Sequence, residues 1–189
     1  MERPEEWKTV SKETVADCRV FEVTERHSIA DGGREASFFV IESPDWVNVI
    51  PVTSDGKLIL IEQYRHGTEE ITLEIPGGLV DEGESPEDCA ARELTEETGY
   101  RARKIVPLGR SRPNPAIQSN WIYHFLAEDC EDGGERSFDE HESIAVRKVS
   151  AGEIDSLIGD GSISHSLVLV GFLMFKQYRN KGTVYTYES

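Results

Sequence analysis

The sequence predicts an α/β protein: an α/β/α sandwich on a mixed sheet, preceded by a small antiparallel β-sheet. Three observations predict it. LILIEQ, from residue 58, is a nearly continuous apolar run of strand length, which marks a buried strand. A helix with start and stop signals at residues 85 and 99 follows that strand and precedes three more. A second long helical stretch, residues 164–179, closes the order strands, helix, strands, helix, which fits helices covering both faces of one sheet.

Residues 1–42 read as short strands. VADCRVFEVTERHSI alternates in part, and the Asp31-Gly32-Gly33 turn leads into ASFFVIE. Two or three such strands have one thin apolar face and are marginal alone, so they need a covering partner. That partner could be the rest of the chain or a second subunit. Pro44-Asp45 marks the boundary with residues 43–189. Beyond it WVNVIPVT, KLILIEQYR and ITLEIPGG read as strands, with Ser54-Asp55-Gly56-Lys57 as a hairpin turn. Further strands are expected over residues 104–108, 121–127 and 144–149, and a short helix over 152–158.

The informative stretch runs from Gly78 to Tyr100, GLVDEGESPEDCAARELTEETGY. Ser85 is a helix N-cap, Pro86 fits the first helical position, Asp88 stands where a capping box has its acid, and Gly99 is a stop. Glu93, Glu96 and Glu97 lie at i, i+3 and i+4, on one face of that helix. At about 4 Å and an effective dielectric of roughly 20, each ionised pair costs on the order of 4 kcal/mol. A hard divalent cation with oxygen ligands would neutralise them. A solvated acidic face is the other reading of three glutamates alone. Gly77 and Gly78 follow Pro76, and glycine there lets backbone approach a ligand closely. Arg92 and the loop residue Glu84 could pair and fix loop to helix.

Together these residues resemble the Nudix box, whose fixed positions are filled here by Gly78, Glu84, Arg92, Glu93, Leu94, Glu96, Glu97 and Gly99. Tyr100 stands where the family has a small aliphatic residue. The flanking Gln63-Tyr64-Arg65 and Leu73-Glu74-Ile75-Pro76-Gly77-Gly78 resemble the branch that acts on ADP-ribose and nucleoside diphosphate sugars. The resemblance implies the same sandwich fold, and Mg2+, with Mn2+ as a possible substitute, held by Glu93, Glu96, Glu97 and the Gly77 carbonyl. It implies Arg65 on the substrate diphosphate, with Arg92 and Glu84 orienting the box; Glu97 and Arg92 are counted with the catalytic residues. It further implies that residues 1–42 serve an intertwined homodimer.

Pro113 and Pro115 break regular structure, and Pro115 falls where the ADP-ribose branch has a proline. That branch commonly continues Ser-Pro-Gly and then a glutamate. Here the residues are Asn114-Pro115-Ala116 and then Asn120, which leaves other nucleoside diphosphate sugars open. Trp46 and Trp121 could stack on a base, or serve packing. The acidic loop Asp139-Glu140-His141-Glu142 resembles the one from which the branch draws its general base, with Glu140 first and Glu142 second.

The formal net charge of −16 argues against a general nucleic-acid binder and suits a cation-dependent site. Three cysteines without metal spacing point to a reducing, cytoplasmic compartment. The N-terminus MERPEEWK carries no apolar run of a signal peptide, and no segment approaches the roughly 20 apolar residues of a membrane span. The expectation is hydrolysis of a nucleoside diphosphate sugar to a nucleoside monophosphate and a sugar phosphate. Two alternatives stand beside it: hydrolysis of a dinucleotide or nucleoside triphosphate, and a non-catalytic module that senses a nucleotide sugar.

Overall fold

A computed structural model of the chain describes residues 3–137 and 143–181. The chain divides into two compact units, one running to Asp45 and including Arg112–Trp121, the other made of Trp46–Ser111 and the chain from Ile122 onward.

The first unit holds β1 (Trp7–Asp17), β2 (Glu22–Ala30) and β3 (Glu35–Glu42), paired antiparallel in that order. The run VADCRVFEVTERHSI is not one strand. The chain turns between residues 17 and 22, where Asp17 Oδ1 accepts from the Arg19 amide at 2.9 Å and Arg19 takes φ 67°. That short side-chain bond offers the backbone an alternative to the ladder, which the partial alternation conceals. The predicted turn at Asp31–Gly33 is present, with Gly33 at φ 80° and its amide on the Ala30 carbonyl at 2.8 Å. Glu42 ties the three strands together by accepting from Thr24, Arg26 and Lys12. The proline loop belongs to this unit: Ile41 donates to Ile117 and accepts from Ser119, at 2.7 and 3.2 Å.

The second unit is built on β4 (Trp46–Thr53), β5 (Lys57–Arg65), β6 (Glu70–Glu74), β7 (Tyr100–Arg101), β8 (Lys104–Ser111), β9 (Ile122–Asp132) and β10 (Ile144–Ser150). The path is β10-β5-β4-β9-β7, with β6 paired to β5 and β8 to β9. β4 and β9 run parallel and the other pairs antiparallel, so the sheet is mixed. The helices are α1 (Pro86–Thr98), α2 (Ala151–Gly159) and α3 (Ser166–Lys181). α1 buries Cys89, Ala90 and Leu94 against Val47, Val49, Ile59 and Phe125. α3 buries Val168, Phe172 and Phe175 against the opposite face, on Ile50, Leu58, Leu60 and Leu108. This is the predicted sandwich, and it follows from LILI alternating between the two cores. Ile59 faces α1, while Leu58 and Leu60 face α3, which is why the run shows no polar gaps.

ITLEIPGG is a strand only as far as Glu74. Pro76 has no amide to donate. From there the backbone passes from β5 to β4: Val49 donates to the Pro76 carbonyl at 2.8 Å and Val47 to that of Gly78 at 2.9 Å. Among the described residues, no helix is long and apolar enough to cross a membrane.

Candidate active site

α1 begins as its sequence dictates. Ser85 Oγ accepts from the Asp88 amide at 3.1 Å and donates to the Asp88 carboxylate at 2.6 Å, and Pro86 opens the helix. It ends on Gly99 at φ 76°, a conformation that glycine takes without strain. These two ends place Glu93, Glu96 and Glu97 beside the turn that leaves β6.

That turn is shaped by close approach. A Cβ on Gly77 would stand 2.2 Å from the Val47 carbonyl oxygen, and one on Gly78 would stand 2.1 Å from a Glu93 carboxylate oxygen. Neither position admits a side chain without movement. The Gly77 amide, between the two carbonyls bound to β4, donates to Glu97 Oε2 at 2.9 Å. Glu97 is buried, so this bond holds a desolvated carboxylate against the loop.

Arg92 gathers the other acids. Its Nε and Nη2 donate to the two oxygens of Glu84 at 2.8 and 2.9 Å. Its Nη1 donates to Glu93 at 2.8 Å and to Glu96 at 3.0 Å, and Nη2 also reaches the Leu79 carbonyl at 3.1 Å. Paired with Arg92, the Glu84 carboxyl is held down to about 2, and Arg92 in turn is raised, first by Glu84. Cys89 lies beneath this fork, its thiol on the Leu79 carbonyl at 3.2 Å, and burial pushes that thiol up. Glu93 and Glu96 therefore have a cation beside them, but one guanidinium offsets only one of the four carboxylates it pairs with, Glu84, Glu93, Glu96 and, at 3.8 Å, Asp81.

The residues fit a hard divalent cation by donor chemistry. All donors are oxygens, and the cluster stays net negative after Arg92 is counted. Among the described residues, no three His, Cys, Asp or Glu side chains form a ready cage. Mg2+ commonly takes one or two carboxylates and completes its shell with water and phosphate, so a preformed cage is not required.

A second charged cluster stands on β5 and β6. Arg65 donates through Nε and Nη2 to the two oxygens of Glu74, both at 2.8 Å. Thr72 Oγ1 donates to Glu74 at 2.6 Å, and His165 Nδ1 stands 3.5 Å from the same carboxylate. Burial alone would raise the Glu74 carboxyl, but the Arg65 fork and Thr72 outweigh it and hold it below its ordinary value. The resemblance points to Arg65 but not to this grip. Glu74 is nine residues away, and only the β5–β6 ladder brings them together.

The remaining sequence expectations fall in different places. Trp46 opens β4 in the second unit, bridged to Leu79, with its indole nitrogen buried and, among the described residues, without a hydrogen-bond partner. Trp121 and Pro115 belong to the first unit. The Arg112 guanidinium covers one face of the Trp121 ring at 3.6 Å, and the Trp121 amide donates to Asp45 at 2.7 Å. A base stacking on Trp121 would use the other face or displace Arg112. Pro115 is exposed in a turn closed by Gln118 on the Asn114 carbonyl. Glu140 and Glu142 lie outside the described residues. His124, a core histidine absent from the sequence expectations, hydrogen-bonds Ser111 at 3.0 Å and is lowered by burial to about 4. The three cysteines are free thiols.

Comparison with known proteins agrees with this architecture. The family model of the NUDIX domain matches residues 43–168. The chain is 34% identical over 146 residues to the ADP-ribose pyrophosphatase of Bacillus subtilis, covering 77% of this chain and 79% of that one. It is 27% identical over 175 residues to the methanol dehydrogenase activator of Bacillus methanolicus, covering 91% and 95%. A crystal structure of an ADP compounds hydrolase superposes with a TM-score of 0.84 at 25% identity, over 97% of this chain and 100% of the other.

Proposed function

We propose that this chain, which belongs to the Nudix family and is a Nudix hydrolase, cleaves the diphosphate of ADP-ribose or a related nucleoside diphosphate sugar with Mg2+. The products would be a nucleoside monophosphate and a sugar phosphate. The observation that carries the reading is the pair of holds on the box: Gly77 on Glu97, and Arg92 on Glu84, Glu93 and Glu96. They fix loop and helix to each other and leave a net negative, oxygen-lined face.

Glu93, Glu96, Glu97 and the Gly77 carbonyl would hold Mg2+, or Mn2+ in its place, which would neutralise the diphosphate and acidify a water. Arg92 orients the carboxylates, and Glu84 keeps Arg92 in place from the loop side. Arg65 holds the diphosphate charge by bidentate donation. Glu140, with Glu142 as the second candidate, takes the proton of the attacking water as its oxygen bonds to phosphorus and the bridging P–O bond breaks.

A substrate panel with and without chelator tests the reading: ADP-ribose, ADP-glucose, GDP-mannose, UDP-glucose, NADH, diadenosine polyphosphates and dGTP. The expected result is chelator-sensitive release of nucleoside monophosphate from one or more diphosphate sugars. Preference for a dinucleotide or triphosphate would overturn the substrate class. The similarity to the methanol dehydrogenase activator favours a second reading, a regulatory module that binds nucleotide without turnover. Binding without cleavage across the panel would select it.

We also infer a homodimer through the first unit. Every residue of β1 is exposed, and Trp7, Val10, Val15, Phe38 and Phe39 present apolar surface to water. Light scattering should give a mass near twice 21.2 kDa. The double change Val10→Glu and Phe39→Glu should halve it, and a wild-type monomer would remove the inference.

A further inference from the structure

We propose that Glu74 is a positioning residue for substrate binding: it draws the Arg65 guanidinium back along the sheet toward the glycine turn and holds it there. The inference rests on Arg65 contacting the diphosphate, as read above.

Arg65 ends β5 and is paired with Glu70, whereas Glu74 is paired with Ile61. The two side chains are therefore four residues apart along the ladder, a distance of about 13 Å at a rise of 3.2–3.4 Å per residue. They meet because the arginine lies back over the Gln63–Thr72 pair. Thr72 marks the path, since its hydroxyl donates to the same Glu74 oxygen that accepts from Arg65 Nε. Without an anchor, an arginine at a strand end would extend into solvent and sample many rotamers.

The face is the correct one. Ile59 of β5 packs with Cys89, Ala90 and Leu94 of α1. Residues 61, 63 and 65 share its side of the strand by alternation. The anchor is also close in sequence to the box: Glu74 stands three residues before Gly77, whose amide holds Glu97. A guanidinium fixed at Glu74 is thus carried from the far end of β5 toward the acidic face of α1.

The chemistry of Glu74 suits an anchor better than a solvent-facing ion pair. Its side chain is 3% exposed while that of Arg65 is 43% exposed. One partner is buried and rigid, and the other presents part of its surface outward. Both carboxylate oxygens are used, one by Arg65 Nε and Thr72, the other by Arg65 Nη2 with His165 beside it. A two-point fork sets the plane of the guanidinium, which a single contact cannot do. The chain holds the cation in place before the substrate arrives, so less ordering is left for binding.

The test is a double-mutant cycle on ADP-ribose turnover with Mg2+. Glu74→Gln should raise KM about tenfold and change kcat by less than about threefold, as expected when ground state and transition state lose the same contact. Arg65→Ala should raise KM at least as much. In the Arg65→Ala background, Glu74→Gln should then change KM no further, because its effect passes through the arginine. Arg65→Lys keeps the charge without the fork and should behave more like Arg65→Ala than like wild type. Should Glu74→Gln fail to fold, Glu74→Asp takes its place: it keeps the charge but is too short for the same two-point grip, so KM should rise, and wild-type KM in that variant would overturn the positioning role. If Arg65→Ala raises KM but Glu74→Gln leaves it unchanged, or adds its full effect on top, the positioning role is wrong and the reading of Arg65 survives. If Arg65→Ala leaves KM unchanged, the reading of Arg65 itself fails and the proposal with it.

Discussion

Glu97→Gln is expected to lower turnover on the order of 10³-fold with Mg2+ while leaving the fold intact. Glu97 is buried and accepts from the Gly77 amide through Oε2. Glutamine keeps the shape and retains an oxygen for that amide, so the turn is preserved. The negative charge is lost, and with it the carboxylate ligand that the proposed metal site needs. Removing one preorganised electrostatic partner costs about 3–4 kcal/mol of transition-state stabilisation. At 1.36 kcal/mol per decade, the upper end corresponds to about 10³ in rate. Thermal unfolding separates this from simple loss of structure. Without metal the variant should melt at or above the wild-type temperature, because one like charge has been removed from the acidic face. Saturating Mg2+ should raise the wild-type midpoint but move that of the variant much less, since only metal binding to the native state is linked to stability. Turnover within tenfold of wild type would remove Glu97 from the metal site.

The box helix was legible because its signals are local. Ser85, Pro86 and Gly99 each act within one turn, and the structure places α1 between them. The buried strand at LILIEQ was legible from hydrophobicity alone. What the sequence concealed depends on distant pairing. Residues 1–42 read as two or three short strands, but the bounds of β1 are not legible, because all its residues are exposed and neither face carries an apolar period. The association of Arg112–Trp121 with the first unit rests on backbone bonds between Ile41 and a loop some 76 residues later, which leave no mark on either segment. Three glutamates on one helical face point to a cation by charge alone, but that count leaves out the reach of Arg92 beside them. An arginine at i, with acids at i+1 and i+4, can contact both and still fork onto the loop at Glu84.

Arg92→Ala should therefore destabilise the protein by about 2–4 kcal/mol at neutral pH, chiefly by leaving carboxylates uncompensated. The side chains of Glu84 and Glu93 are 16% and 14% exposed, so water only partly replaces the lost donor. That of Glu96 is 38% exposed and contributes little. The pH dependence identifies the source. Arg92 holds the folded-state Glu84 carboxyl at about 2, against about 4.3 for an unperturbed glutamate. A depressed carboxyl contributes its stability above the unfolded value and loses it as pH falls toward the folded one. Wild type should thus lose this contribution between about pH 4.5 and 2, while Arg92→Ala, having none to lose, should show a flatter decline. The gap between the two proteins in urea unfolding should close across that window. A gap that stays constant from pH 7 to pH 3 would assign the loss to packing of the arginine stem instead. Mg2+ supplies the complementary check. With its own cation removed, the acidic face should gain more from an added one, so Mg2+ should raise the midpoint of Arg92→Ala by more than that of wild type, even though the misplaced carboxylates no longer support turnover.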